Sequence, residues 1–389
     1  MNIKPFLLER YFAKYEFSAP YLLCSSDCET ISVARLLELD GNKEENISKL
    51  LNLRLGYTES KGDPELRDII ANLYKNDKIE KENILTFAGA AEGIFLFMNS
   101  ILTKKDNVIV IFPSYQSLYE VPKSLNANIT LWELKEKENW YLDLDFLKRS
   151  IKKNTKLLII NFPHNPTGYC PTEEEYKEII SICDKNGIYL FSDEVYRFLE
   201  YDIEYDNNEK IIKIKDRKPL EPACNLYERA FSLGVMSKSF GLAGLRIGWI
   251  ASQNKKILEK IAILKDYTTI CSSAPSEFLS KIALKNIDKI LRETKDIIFD
   301  NLKELIPFFE KWKGYFNLSY PGGSSIAFPY YYKDTDILAQ KLIESKGVLL
   351  MPSSMFEFGN HHFRIGFGRK NMKQALELFD KFLEENLNK

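Results

Sequence analysis

The chain has 389 residues, of which 45% are hydrophobic and 28% charged, and its formal net charge is −1. That length suggests two or three domains with ample apolar material for a core. The even charge balance gives no electrostatic footprint for nucleic acid or an anionic membrane. No apolar run approaches a membrane span and the N-terminus has no cleavable apolar stretch, so a cytoplasmic protein is expected. The six cysteines (24, 28, 170, 183, 224 and 271) are scattered without a CxxC pair, as reduced thiols are. The three histidines, His164, His361 and His362, have no zinc-ligand spacing with them, so no metal site is expected.

In chain order, Leu85–Gly93 is a strand end running through small residues into a helix pattern. Asn107–Phe112, Thr155–Asn161, Gly187–Phe191 and Ala230–Val235 are continuous apolar runs of strand length, the pattern of strands buried on both faces of a parallel sheet. Helical patterns separate them, among them Thr172–Asn186, with Thr172 as N-cap and Glu173 to Glu175 in the first turn. Such alternation predicts an α/β domain with a mainly parallel sheet over roughly 45 to 270. The character then changes. A charged helix pattern over Leu284–Leu305, ending before Pro307, leads to a Tyr-rich strand region over Phe316–Tyr332. A helix over Thr335–Lys346, strands at Val348–Leu350 and Phe363–Phe367, and a polar terminal helix follow. The expected division is an N-terminal segment over 1–44 joining the small domain, a large α/β/α domain over 45–274 and a smaller α+β domain over 275–389.

Ligands of open α/β sheets bind beyond the carboxyl ends of the strands, so those ends are where chemistry is sought. Ala230–Val235 delivers Lys238 among small residues, with Arg246 eight positions on. An amine beside a buried strand must be bonded or desolvated; desolvation depresses its pKa and suits it to form a Schiff base with a carbonyl. Asn161-Phe-Pro-His-Asn-Pro-Thr-Gly168 presents the Asn165 amide in a turn whose backbone is restricted by Pro166 and reversed by Gly168. Ile188-Tyr-Leu-Phe-Ser-Asp-Glu-Val-Tyr196 buries Asp193, which needs a cation, and a helical turn would bring Tyr196 to the same side. The free N–H groups at Ala90 and Ala91 would make a phosphate cup. Pyridoxal 5′-phosphate uses an amine, a carboxylate, an amide, a phenol and a phosphate site together. A dinucleotide GxGxxG or GxxxxGK[ST] loop is absent from the sequence.

With these motifs in order between Gly56 and Arg364, the chain resembles the fold-type I pyridoxal-phosphate enzymes of the class I/II aminotransferase family. The resemblance implies that Lys238 is the Schiff-base lysine and proton shuttle, that Asp193 pairs with the ring nitrogen, and that Asn165 and Tyr196 bond the phenolic oxygen. It further implies that Tyr115 stacks on the ring and that Ala90, Ala91, Ser237 and Arg246 hold the phosphate. Tyr57 would reach the phosphate of a partner subunit, making a homodimer with shared active sites. Arg364, in His-Phe-Arg-Ile-Gly, would clamp a substrate α-carboxylate, with Asn165 beside it.

Two features depart from that pattern. Relatives often carry a hydroxyl three residues before the lysine, where this chain has Val235, leaving Ser232, Ser237 and backbone donors for the phosphate. The first 44 residues, with Leu7–Tyr15 and Ala19–Glu29, are unlike those of a generic transaminase and resemble arginine-handling relatives, with Asp27 and Glu29 facing a cationic side chain. The expected activity is ping-pong transfer of an amino group from an L-amino acid to a 2-oxo acid. The alternatives are a lyase, cyclase or oxygen-dependent deaminase acting on arginine or a related basic amino acid, and a non-catalytic regulator of the same fold.

Overall fold

The computed structural model describes residues 2–206 and 211–387. Its centre is a seven-stranded sheet in the order β1-β9-β8-β5-β4-β2-β3. The strands are β1 (Ile84–Phe87), β2 (Asn107–Phe112), β3 (Asn128–Glu133), β4 (Thr155–Asn161), β5 (Tyr189–Asp193), β8 (Ala230–Val235) and β9 (Gly248–Ala251); β6 (Tyr201–Asp206) and β7 (Ile211–Asp216) form a separate hairpin. Only β9 runs against its neighbours.

Alternation sends successive side chains to opposite faces. Val108, Val110, Leu157 and Ile159 join one core layer, while Ile109, Ile111, Leu158 and Ile160 join the other. Helix Ala90–Ile101 covers the first face with Ile94, Phe97 and Met98, and helix Glu173–Asn186 covers the second with Tyr176, Ile179 and Cys183. The predicted cap is present as a full capping box between Thr172 and Glu175. The predicted strand at Gly187 begins two residues later, because Gly187 takes the left-handed conformation (φ 62°) that ends the preceding helix.

Beyond the sheet, helix Ile287–Lys311 passes through Pro307 instead of stopping before it. Buried Leu305, Ile306, Phe308 and Phe309 on both sides of the proline supply packing that outweighs one lost backbone bond. The Tyr-rich region breaks into the two-residue strands β10 (Phe316–Asn317), β11 (Ile326–Ala327) and β12 (Tyr330–Tyr331). The expected strand at Val348–Leu350 is displaced: β13 is Met351–Pro352, pairing with β14 (Phe363–Gly366). Val348 instead bridges to Tyr21, and Leu349 N–H donates to the Tyr21 carbonyl at 2.8 Å.

The N-terminal segment thus lies along this C-terminal layer. The Gly366 N–H donates to Leu23 O at 2.7 Å, and the Tyr11 hydroxyl donates to Leu350 O at 3.0 Å. Among the described residues no helix is long and apolar enough to cross a membrane.

Candidate active site

The carboxyl ends of β1, β8, β5 and β4 lie along one edge of the sheet, and a cleft of about 1210 Å³, measured to its open mouth, lies against them. Register does the first part of the positioning. Asn161 pairs with Asp193, and Asp193 with Leu233, so the strand-end amide and carboxylate stand at one level. Asn161 Nδ2 donates to the Asp193 carbonyl at 2.9 Å, and Asn161 Oδ1 accepts from the Asn165 N–H at 2.8 Å. Asn165 Oδ1 in turn accepts from Arg364 Nη1 at 3.3 Å. A continuous polar chain therefore runs from β5 to β14. The Asn165–Pro166 peptide is cis, as are Phe112–Pro113 and Phe162–Pro163, and Gly168 closes the turn at φ +71°.

Lys238 projects into the cleft just beyond β8, and its Nζ donates to Ser26 Oγ at 2.9 Å. Burial lowers its pKa, opposed mainly by the Asp27 charge. Asp193, also buried, has only the Val195 N–H at 3.2 Å on its carboxylate, and burial pushes its pKa up to about 7. A carboxyl so placed is stabilised as an anion only when a cation arrives beside it. Tyr196 reaches the cleft through a turn closed by the Arg197 N–H on the Glu194 carbonyl at 2.9 Å, and its hydroxyl donates to the Ser26 carbonyl at 3.0 Å. Burial pushes its phenol up as well.

Arg246, exposed and in the left-handed conformation (φ 52°), faces the start of helix Ala90–Ile101. Gly89 takes the left-handed conformation (φ +84°) that favours glycine, and a Cβ there would meet Arg246 Nη2, so the guanidinium lies close against that helix end. Ala90, Ala91 and Ser237 line the cleft as well. Val235 lines it too, but Ser232 does not substitute for the missing hydroxyl. Its Oγ donates to Glu194 Oε1 at 2.7 Å on the other face of β8. Arg364 is fully buried (0% exposed), donates through Nε to the Cys24 carbonyl at 3.1 Å, and keeps Nη2 without a partner.

The cleft thus gathers Lys238, Asp193, Tyr196, Asn165, Tyr115, Ala90, Ala91, Ser237, Arg246 and Arg364. Tyr57 stands apart, 88% exposed, beside a separate hollow lined by Arg54, Thr58 and Lys281. Asp27 lines the cleft but is held by Arg369 at 2.8 Å, and Glu29 turns away to accept the Lys370 N–H at 2.9 Å. Leu8, Glu9, Phe12, Ser25 and Ser26 also line the cleft; they lie in the two N-terminal stretches the sequence set apart but were not singled out, and neither were Glu16 and Asn161, which line it too. A polar residue ending an apolar strand could have flagged Asn161. The others carry no local signal.

The donor set suits pyridoxal 5′-phosphate: a desolvated amine and a buried carboxylate with no ion-pair partner among the described residues share the cleft, and an arginine faces the start of a helix. The sheet, its satellite layer and this cleft define a fold-type I pyridoxal-phosphate enzyme. Residues 30–380 match the family model described as Aminotransferase class I and II, and the chain belongs to that family. It is 28% identical to a probable aspartate aminotransferase of Methanocaldococcus jannaschii, over 98% of each chain. It is 27% identical to the capreomycidine synthase of Streptomyces vinaceus, covering 94% of this chain and 88% of that one. A solved pyridoxal-phosphate-dependent aminotransferase from Streptococcus suis superposes with a TM-score of 0.88 at 27% identity, over 99% of each chain. The activity is therefore pyridoxal-phosphate-dependent transfer of an amino group from an amino acid to a 2-oxo acid.

Proposed function

We propose the following division of labour for that activity. Lys238 holds the cofactor's aldehyde, Asp193 its ring nitrogen, Asn165 and Tyr196 its phenolic oxygen, and Tyr115 its ring face. Ala90, Ala91, Ser237 and Arg246 hold its phosphate. Arg364, with Asn165 beside it, takes the substrate α-carboxylate. When bound, the cofactor supplies an electron sink for the bond broken at the substrate Cα. The chain's own part is electrostatic and positional. Asp193 keeps a positive charge on the ring side of the cleft, Arg364 fixes the carboxylate, and Lys238 Nζ takes and returns the proton at Cα. A depressed amine pKa leaves more of Lys238 in the neutral form that accepts a proton than an exposed lysine has.

The carrying observation is the Lys238–Asp193–Arg364 set within one cleft: a desolvated amine, a buried carboxylate with no ion-pair partner and a buried guanidinium whose Nη2 is unpartnered among the described residues. Tyr57 belongs, in this reading, to the cleft of a second copy: it is exposed, as are Leu51, Leu55 and Tyr267, which suits a homodimer with shared sites. We also divide the chain into a segment over 1–44, a cofactor-binding unit over 45–274 and a C-terminal unit over 275–389. Six free cysteines accord with a cytoplasmic setting.

The test is Lys238→Ala. Borohydride reduction of the wild-type holoenzyme should fix the cofactor's mass on the peptide bearing Lys238. The variant should show no adduct and lose amine transfer to a 2-oxo acid by about 10³-fold or more, on the scale of losing a catalytic base and nucleophile together. Full turnover in the variant would overturn the assignment.

A further inference from the structure

Once the groups facing the cofactor are assigned, one wall of the cleft keeps polar side chains without a task. Helix Leu7–Tyr15 and its cap place Leu8, Phe12 and Glu16 on one stripe at four-residue spacing, with Glu9 beside Leu8, and all four line the cleft. Both glutamates are half-buried. Glu9 accepts the Tyr115 hydroxyl at 3.1 Å, and among the described residues neither glutamate forms an ion pair. Asp27 differs, because Arg369 holds it through two N–H groups at 3.2 and 2.8 Å. Burial, then the Asp27 charge, pushes Glu16 above the ordinary carboxyl range, a rise that the charges of Arg369 and Lys238 oppose without reversing.

The second observation lies across the cleft. Arg364, fully buried with Nη2 unpartnered, marks where a carboxylate docks. Its guanidinium carbon lies 5.8 Å from the Phe12 ring centroid, so Phe12 borders that docking place, with Glu9 and Glu16 on either side of it along the helix. An amino acid held at Arg364 therefore has, within the same cleft, two glutamates without an ion-pair partner among the described residues. The cations that this chain brings to the lining (Lys238, Arg246 and Arg364) are, in the reading above, engaged with cofactor or α-carboxylate.

We propose that the cleft selects an L-amino acid with a long cationic side chain, its methylene stem lying over Leu8 and Phe12 and its ammonium or guanidinium meeting Glu9 and Glu16. The stem would bury apolar area while the charge reaches the carboxylates. An aspartate side chain would meet like charge there, an arrangement that selects by repulsion as well as attraction. The amine chemistry in this proposal rests on the aminotransferase reading, whereas the binding does not.

The experiment measures binding and turnover separately on the holoenzyme with arginine, lysine, aspartate and citrulline, the neutral isostere of arginine. Arginine or lysine should bind at least about tenfold more tightly than citrulline, on the scale of a charge-assisted hydrogen bond. The double variant Glu9→Gln/Glu16→Gln should bring that ratio close to one while cofactor absorbance reports an intact site. Citrulline or aspartate binding as well as arginine and lysine, or an unchanged ratio in the double variant, would overturn the proposal and leave the aminotransferase reading standing. Tight, Glu-dependent binding of arginine without amine transfer would uphold it and sink the reaction assignment.

Discussion

The two walls of the cleft are built by different means. On the strand-end wall, Asn161, Asp193 and Lys238 take their places from parallel register and from short turns that follow buried strands. On the helix wall, Glu9, Phe12 and Glu16 are placed by contacts far away in sequence. The Leu7 N–H donates to Gln116 Oε1 at 2.8 Å, and the Tyr11 hydroxyl bonds Leu350 O across 339 positions. The first wall offers what any reaction on the cofactor requires. The second offers what only a particular side chain requires. Chemistry and selectivity therefore sit on separable pieces of the chain, and variants should divide along the same line.

The largest effects should come from the strand-end wall. Asp193→Asn should lower kcat on the order of 10²–10³-fold, the usual cost of losing a preorganised charge at the reacting centre. The same change should stabilise the cofactor-free protein at alkaline pH. The folded pKa of Asp193, about 7, lies above its ordinary value of 3.8 because of burial. The stability contributed by its protonated form is thus fully present below about 3.8 and lost as pH rises through about 7. Relative to wild type, the Asn variant should gain a few kcal/mol at pH 8, at about 1.4 kcal/mol per pKa unit, and little at pH 4. Denaturant melts of both cofactor-free proteins at the two pH values would check this. A gain that is equal at both would remove the buried charge as the cause.

Where the walls meet, Arg364→Gln sharpens the comparison. It should raise KM for the amino donor about 10- to 100-fold, the range for a charge-assisted bond to a carboxylate, with a smaller change in kcat. Steady-state kinetics would show it. An unchanged KM would place the α-carboxylate elsewhere.

How much of this was legible follows from the same division. The central strands were readable because each is an unbroken apolar run, and Lys238, Asp193, Asn165 and Arg246 because each directly follows such a run or its turn. Pro307 misled because a local rule for helix ends was outweighed by packing of Phe308 and Phe309. Val348–Leu350 misled because its partner is Tyr21, a contact that no periodicity announces. Ser232 looked like a spare phosphate donor, yet the two-residue period of β8 sends it to the opposite face from Val235. The segment over Leu7–Tyr15 stood out as unlike that of a generic transaminase, but nothing in it marked Leu8, Glu9 and Phe12, or Glu16 just beyond it, as the side chains that face the cleft. What gives them a role is the tertiary packing that brings the helix to the cleft.

The smallest effect tests the strap that joins the walls. Ser26 accepts Lys238 Nζ at its hydroxyl and the Tyr196 hydroxyl at its carbonyl, so Ser26→Ala removes one bond and keeps the other. A single hydrogen bond of this kind contributes about 1 kcal/mol, so turnover should fall only about fivefold. The sharper readout is the pH dependence of cofactor attachment to the cofactor-free protein. An acceptor on Nζ favours the ammonium form, and burial already lowers the Lys238 pKa. Removing the hydroxyl should lower it further and leave more neutral amine at a given pH. The rate of attachment, followed by stopped-flow absorbance, should therefore reach its plateau at lower pH in Ser26→Ala than in wild type. A merely structural serine would slow turnover without moving that profile, and a profile that stays in place would mean that Ser26 orients the strap while leaving the charge of Lys238 to burial and to neighbouring charges such as Asp27.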